Sequence, residues 1–294
     1  MPGQSLNPTA WLPAALLALV LAGAAPAAAR AAPPPTVVSL DYCADQYVLA
    51  LADPEQILAI STGPDDEFSA LRHRAAGVPR VRDISEDVLA LEPELVLRLS
   101  GGGPRALAFY QRVGITTHQL KFPNDFQGVR DTIRDAAAAL GHPARGEALI
   151  AEMDAVLEAA AGDEDMPRKR ALYVTPGGVT TGSNTMVHAI LEAGGFDNAA
   201  AEAGMRGWFS LPLEQLVVAP PDLIVTGFFG MRSNHVNNWT ASRHPVLRDL
   251  FERTPTVHLD GALLACGAWF MADAALSARQ QANRLAVQSA ALSP

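Results

Sequence analysis

The sequence predicts an α/β protein with two Rossmann-like lobes, mainly parallel sheets and one long helix that bridges the lobes. Short apolar runs of strand length alternate with helical patterns along most of the chain. That alternation stops once, for a single long helical stretch, and then resumes. The composition, 49% apolar and 18% charged among 294 residues, is typical of a folded globular protein with a sizeable core. We therefore expect a first lobe over residues 36–141, a bridging helix over 142–165 and a second lobe over 170–288.

The N-terminus has the character of an export signal. Residues 10–29 are apolar and rich in alanine, and no charged side chain occurs before Arg30. Two prolines interrupt this run, and the small residues around Ala29 fit a cleavage site. We predict a cleaved signal peptide over residues 1–32, and hence a periplasmic protein. A retained membrane anchor is the alternative.

Each predicted strand of the first lobe is a short, mostly apolar run, and each predicted helix follows one of these runs. Gly141 is expected to end the last helix of this lobe, because glycine readily adopts the backbone conformation that closes a helix. The predicted strands are 36–40, 57–61, 95–99 and 116–120, and the predicted helices are 43–52, 85–91, 104–113 and 126–140.

The bridging helix is predicted from Pro143, which suits a first helical position, and from apolar residues that recur at helical spacing. After a polar stretch the strand–helix alternation resumes in the second lobe. The predicted strands there are 171–175, 222–226 and 256–259, and the predicted helices are 184–193, 212–218, 244–253 and 268–286.

Charge and motifs exclude several classes of function. The formal charge of −9 argues against a nucleic-acid partner, since such proteins carry basic surfaces. The nucleophile elbow and the phosphate-binding and dinucleotide-binding motifs are all missing, so we expect neither an enzyme nor a bound cofactor. The seven histidines lack the short spacings of a metal site. The triple glycine at 101–103 follows a strand and precedes a helix, so its amides either meet an anion or form a tight connection.

The two cysteines leave three possibilities open. Cys43 and Cys266 are 223 residues apart and are expected on different lobes. They could be free thiols, form a disulfide or contact a ligand. A disulfide would pin the lobes together, which is awkward for a protein that has to open.

The aromatic residues predict a ligand pocket. Every tryptophan beyond the leader lies in the second half, mostly at predicted strand ends or in loops, where parallel α/β folds form their ligand crevice. Flat apolar rings edged by arginines suit a bulky ligand that carries some negative charge. The residues of this group are Trp208, Trp239, Trp269, Phe209, Phe228, Phe229 and Phe270, with Arg206 and Arg232 nearby.

The two halves also contain similar phrases. EDVLALEPELVL begins at Glu86, and EQLVVAPPDLIV begins at Glu214. This similarity is explained either by a phrase that recurs in many α/β proteins or by two lobes of one plan with equivalent surfaces.

Four segments together resemble the helical-backbone class of periplasmic binding proteins, which serve ABC importers of ferric siderophores, haem and cobalamin. The resemblance covers nearly all of residues 36–286. The segments are VVSLDYCADQYVLAL (37–51), SEDVLALEPELVL (85–97), TTGSNTMVHAILEAGGFDNAA (180–200) and SLPLEQLVVAPPDLIV (210–225).

This resemblance implies a bulky metal chelate held between the lobes, delivery to a permease driven by its ATPase, and a chain that we expect to be a monomer. It also implies that one glutamate on each lobe, Glu86 and Glu214, docks onto arginines of the permease. Ligand contacts are expected from the loops that follow the strands, with Tyr42 and Trp208 stacking on the ligand from opposite sides and Arg232 facing an anionic group. The full set of expected ligand contacts is Tyr42, Cys43, Trp208, Phe209, Phe229, Arg232 and Trp269.

The sequence leaves open three alternatives to a chelate-binding protein of an ABC importer. The chain could bind bare metal ions, which would require several convergent histidine and carboxylate ligands. It could be an exported enzyme that uses the cleft between the lobes, since a shared fold does not settle function. It could also be a scaffold or sensor partner that no longer binds a ligand.

Overall fold

The structure, a computed structural model, describes residues 33–63, 67–162, 167–211, 218–229 and 245–291. The predicted signal peptide over residues 1–32 and most of the predicted helix over 212–218 lie outside the described residues. Among the described residues, no helix is both long and apolar enough to cross a membrane.

The first lobe is a five-stranded parallel sheet in the order β3-β2-β1-β4-β5. Its connections reverse direction between β1 and β4, which makes the carboxyl ends of those two strands the switch point where such sheets bind ligands. The strands are β1 (Val37–Ser39), β2 (Ile57–Ser61), β3 (Arg80–Val81), β4 (Leu95–Arg98) and β5 (Thr116–Gln119). The helices are α1 (Tyr42–Leu51), α2 (Ser85–Leu89), α3 (Ala106–Arg112) and α4 (Phe126–Ala139).

One helix, α5 (Pro143–Ala160), separates the two sheets in the chain. It packs against α4 of the first lobe and against the last helix of the chain. Its buried side chains belong to a core cluster that also contains α1 and the strands of both sheets, so this helix is part of one continuous hydrophobic core.

The second lobe has a four-stranded parallel sheet in the order β11-β10-β6-β8 and a separate antiparallel pair, β7 and β9. The strands are β6 (Lys169–Val174), β7 (Val179–Thr181), β8 (Phe196–Asn198), β9 (Trp208–Ser210), β10 (Leu223–Gly227) and β11 (Thr256–Leu259). The helices are α6 (Met186–Ala193), α7 (Ala199–Glu202), α8 (Pro245–Arg253) and α9 (Met271–Ala291). Two mainly parallel sheets joined through one long helix confirm the predicted fold class.

A buried carboxylate connects α1 to the first sheet. Asp45 has no exposed surface and accepts hydrogen bonds from the Ser39 hydroxyl at 2.5 Å, the Ser61 amide at 3.0 Å and the Ser61 hydroxyl at 2.6 Å. Burial raises the pKa of this carboxyl, although the hydrogen bonds oppose that shift. Asp45 therefore joins α1 to β1 and β2 at the carboxyl ends of these strands, next to the expected ligand crevice.

We expect Asp45→Asn to change how stability depends on pH. The pKa of the Asp45 carboxyl is higher in the folded protein than in the unfolded chain, so the folded state binds the proton more readily. Acidification from pH 7 therefore relieves the cost of burying the Asp45 charge. This gain in stability is complete once the pH falls below the unfolded pKa of about 3.8. Asparagine carries no such charge, so the stability of the wild type relative to the variant should rise on acidification. Urea unfolding of both proteins at pH 7 and pH 4.5 measures this change, and a difference that stays constant between the two pH values would contradict it.

Candidate functional site

The loop after β1 is held by a single carboxylate, Asp41. Its Oδ1 accepts a hydrogen bond from the Ala44 amide at 2.9 Å and so caps α1. Its Oδ2 accepts three more, from the amides of Leu99, Ser100 and Gly101 at 2.7, 2.9 and 2.9 Å. The glycine loop after β4 thus meets carboxylates of the same chain, Asp41 at Gly101 and Asp83 at the Gly102 amide, 3.2 Å away.

The glycine at position 101 is required by close backbone approach. A Cβ atom there would lie 2.1 Å from the Leu40 carbonyl oxygen, which no side chain can tolerate. The loops after β1 and β4 therefore form one rigid unit at the switch point of the first sheet. Tyr42, the first predicted ligand contact, is the first residue of α1 and follows Asp41 directly.

An aromatic residue that was not predicted from the sequence, Phe68, lies in a segment that the Gln46 side chain clamps to α1. Gln46, fully buried on α1, donates to the Tyr42 carbonyl at 2.7 Å and the Ser69 hydroxyl at 2.8 Å, and accepts from the Leu71 amide at 2.7 Å. This clamp holds the segment that carries Phe68 beside Tyr42, with ring centroids 6.3 Å apart. No periodic pattern marks this segment in the sequence, and an aromatic residue in a loop after a strand is the one signal that could have indicated it.

Phe68 also contacts the second lobe. Its ring centroid lies 6.1 Å from that of Phe228, which follows β10. The three rings of Tyr42, Phe68 and Phe228, called the aromatic bridge below, connect the carboxyl ends of the two sheets. Phe228 belongs to the aromatic group predicted from the sequence but not to the expected ligand contacts.

Among the predicted ligand contacts that the structure describes, Trp208 is the most exposed. Its residue is 54% exposed at the start of β9, and its ring meets the buried ring of Tyr173 edge-on at 6.0 Å. Burial raises the pKa of the Tyr173 phenol and keeps it neutral. The Tyr173 hydroxyl is so close to Gly227 that a Cβ there would lie 2.4 Å from the oxygen. Trp208 thus presents an exposed ring near the carboxyl ends of β6 and β10.

Two other predicted contacts face the core of the second lobe. Phe209 occupies the alternate position on β9 and packs against the apolar cluster around Leu172 and Ile224. The ring of Phe229 meets that of Phe251 on α8 at 6.2 Å. These contacts do not bring Phe209 and Phe229 together with the aromatic bridge.

Cys43 forms a disulfide with Cys266, so its sulfur is not available as a free thiol. The bridge is buried, with the two residues 5% and 1% exposed, and it joins α1 of the first lobe to the segment before α9 in the second. From the sequence alone this pairing was one of three possibilities, and it was not expected to suit a protein whose lobes must separate. The disulfide prevents the lobes from separating at this one place. Neither the aromatic bridge nor Trp208 takes part in this covalent link.

Trp269 lies beside this disulfide. Its ring contacts that of Tyr47 edge-on at 5.4 Å, and the Tyr47 hydroxyl donates to the Gly267 carbonyl at 3.1 Å. The other side of Trp269 lines a small cavity with Leu149 and Glu152 of α5. Trp269 therefore packs where the lobes and α5 meet, and it is not placed with Trp208.

The predicted docking residue Glu86 lies on the surface of the first lobe, in the first turn of α2. Its neighbour Asp87 is bound by Arg82 at 2.6 Å, whereas the Glu86 carboxylate makes no hydrogen bond or ion pair with the described residues. Exposed Ile84 lies beside it. Glu214 and Arg232 lie outside the described residues.

A site for a bare metal ion would need several histidine and carboxylate ligands in one place. Within the described ranges, no group of three or more histidine, cysteine, aspartate or glutamate residues is arranged to hold a metal ion. The polar groups at the carboxyl ends of the first sheet, Asp41 and Asp45, are occupied by the chain's own donors.

Comparison with known proteins places similarity over most of the chain. The model of the periplasmic binding protein family matches residues 37–250. A cobalamin-binding protein of Halobacterium salinarum is 29% identical over 199 residues, which are 66% of this chain and 54% of that protein. The chain thus spans about half the length of the curated relatives it matches.

Solved structures share the fold. A periplasmic heme-binding protein from Roseiflexus superposes with a TM-score of 0.66 at 24% identity, covering 83% of this chain and 96% of that one. The periplasmic vitamin B12 binding protein of Vibrio cholerae superposes with a TM-score of 0.60 at 18% identity, covering 84% and 96%.

Proposed function

Because this chain belongs to the periplasmic binding protein family, we propose that it is the exported solute-binding subunit of an ABC importer and carries a bulky metal chelate. Cobalamin, haem and ferric siderophores are the chelates in question. In this role the chain catalyses no reaction; it captures the chelate between its lobes and delivers it to the permease. One observation carries the proposal: aromatic rings of both lobes converge at the carboxyl ends of their sheets, where parallel α/β folds bind ligands.

The chemistry of these rings suits a large ligand with apolar faces. Tyr42, Phe68 and Phe228 offer contiguous aromatic surface across both lobes, and Trp208 has more than half of its surface available for burial. Burial of aromatic surface stabilises a complex in proportion to its area, and offset or edge-on contacts with a flat macrocycle add to it. Polar groups of the surrounding loops would then provide selectivity.

Cobalamin is the first ligand to test. The cobalamin-binding relative from Halobacterium salinarum supports this choice, and the heme-binding and vitamin B12 binding proteins of the same fold support the wider class.

We propose that residues 1–32 direct export and are removed, so that the working protein begins near residue 33. N-terminal sequencing of the exported protein tests this cleavage.

We expect a fragment of residues 33–294 to bind one of cyanocobalamin, haemin or ferrichrome at micromolar concentrations or below, with one ligand per protein. Binding should quench tryptophan emission saturably, because Trp208 is exposed at the proposed site. Trp208→Ala should raise the dissociation constant about tenfold, since it removes a large apolar contact.

The matched control is Trp269→Phe, which removes a second emitter beside the disulfide while keeping its ring contact with Tyr47. Free tryptophan mixed with each coloured ligand corrects for absorption of light. Failure of all three ligands to bind would contradict the proposed function. Elemental analysis after dialysis would then test for a bare metal ion.

Docking to the permease is proposed to use Glu86 in the first lobe and Glu214 in the second. The Glu86 carboxylate, which has no partner among the described residues, is available to an arginine fork, which would fix orientation through charge-assisted hydrogen bonds. In cells that import the chelate, Glu86→Ala combined with Glu214→Ala should lower uptake about tenfold, while the purified variant keeps its ligand affinity.

The control for docking is Glu158→Ala, which removes an exposed glutamate from α5. Uptake with this variant should match the wild type. Unchanged uptake in the Glu86 and Glu214 variant, at equal protein abundance, would remove these residues from the docking surface.

A further inference from the structure

Phe228 has an unusual backbone. Its φ angle is 66°, in the left-handed region, where glycine and asparagine are common and a bulky aromatic residue is a rare outlier. The residue follows β10 directly, at the carboxyl end of the second sheet. Such a conformation is maintained only where the surrounding structure enforces it, and strained residues of this kind cluster at ligand clamps and active sites.

The left-handed turn separates the side chains of two consecutive phenylalanines. Phe229 contacts Phe251 in the core of the second lobe, whereas the Phe228 ring lies against Phe68 of the first lobe at 6.1 Å and an interplanar angle of 49°. The residue before the turn is Gly227, where a Cβ would collide with the Tyr173 hydroxyl. The backbone at this point is therefore confined on one side, and its turn directs Phe228 toward the other lobe.

The ring that Phe228 contacts, Phe68, is also held in place, by residues of the first lobe. Gln46 makes two hydrogen bonds, with the Ser69 hydroxyl and the Leu71 amide, that fasten the segment around Phe68 to α1, and Phe68 in turn contacts Tyr42. The aromatic bridge is thus held by the Gln46 side chain in the first lobe and by the strained backbone turn in the second. Rings that are already fixed discriminate between ligand shapes better than rings on mobile loops, because fewer protein side chains and loops have to be ordered when the ligand binds.

We propose that Phe228 is a specificity-determining residue of the chelate site, and that its strained backbone holds its ring in place as one end of an apolar platform shared by both lobes. This inference rests on the proposed function and extends it to the shape of the ligand. The platform selects a chelate with a broad apolar face and discriminates against compact hydrophilic chelates.

The experiment compares Phe228→Gly, Phe228→Ala and the wild type, with cyanocobalamin, haemin and ferrichrome as probes and ferric citrate as the compact hydrophilic comparison. Both variants should bind the best probe at least about tenfold more weakly than the wild type, so that preference over ferric citrate falls by a similar factor. Phe109→Ala, which removes a ring from α3 of the first lobe, should leave both affinities unchanged.

Thermal unfolding without any ligand tests the strain separately. Glycine relieves a left-handed backbone and alanine does not, so Phe228→Gly should melt about 2–4 °C above Phe228→Ala, even though glycine usually lowers stability. A glycine variant that melts no higher than the alanine variant would overturn the claim that the turn is strained.

Two further outcomes separate the inference from the function on which it rests. Wild-type binding of a probe with unchanged affinity in both Phe228 variants would overturn the role of Phe228 and leave the proposed function standing. If the wild type binds none of the probes, the proposed function fails and the assignment of Phe228 falls with it.

Discussion

Replacing both cysteines, Cys43→Ala with Cys266→Ala, is expected to lower the free energy of unfolding by about 3–5 kcal/mol. The disulfide closes a loop of 223 residues, and the loss of chain entropy that such a link imposes on the unfolded state grows with loop length. Alanine is chosen because both positions are buried, and a serine hydroxyl there would add a cost of its own.

The measurement is thermal or urea unfolding of the double variant, the oxidised wild type and the wild type treated with a reductant. For a chain of this size the melting temperature should fall by about 10 °C. The reduced wild type and the double variant should agree closely, because both lack the link and differ only in the two buried sulfur atoms. Equal midpoints for the oxidised and reduced wild type would show that the bridge contributes nothing to stability.

Asp41→Ala is expected to cost about 3 kcal/mol of stability. The change removes the cap of α1, worth about 1 kcal/mol, and leaves the amides of residues 99–101 without their charged acceptor. The loops after β1 and β4 would then lose the connection that holds them together at the switch point.

Two variants isolate the contribution of the amides in urea unfolding. Asp125→Ala removes a carboxylate that caps α4 through the Gly128 amide alone, and should cost only about 1 kcal/mol. Asp41→Asn keeps an acceptor oxygen but loses the charge, so its effect should fall between those of the wild type and Asp41→Ala. If Asp41→Ala cost no more than Asp125→Ala, the three amides would have no energetic importance.

The regular elements of the fold were predictable where the pattern is local. The apolar runs of β1, β2, β4, β10 and β11 appear in the sequence within one or two residues of their observed bounds, and so does the start of α5 at Pro143. Buried parallel strands and amphipathic helices leave this kind of pattern because burial dictates which positions are apolar.

The short strands β3, β7, β8 and β9 were not predicted. Each has only two or three residues, too few for alternation to register; β3 and β8 extend the edges of the two larger sheets, and β7 and β9 pair with each other. The antiparallel pair of β7 and β9 matters most for the site, since it separates Trp208, which is exposed, from Phe209, which faces the core.

The candidate site was predictable in chemistry more than in geometry. The sequence indicated aromatic residues at strand ends, which occur, and for the triple glycine it left open either an anion or a tight connection. It could not indicate that the anion is Asp41, that Phe68 joins the row of rings, or that Cys43 pairs with Cys266. These contacts depend on residues 58 or more positions apart or, for Phe68, on a clamp with no periodic signal.

The disulfide between Cys43 and Cys266 has a consequence for the order of biosynthesis. The chain contains only two cysteines, so a single intramolecular pairing exists and no wrong isomer has to be reshuffled. However, the first cysteine is synthesised 223 residues before its partner, and it remains a reactive thiol until the second lobe has followed it. The error open to this protein is therefore a link between the Cys43 residues of two unfinished copies, and the yield of natively bridged protein should depend on how quickly α1 buries that thiol.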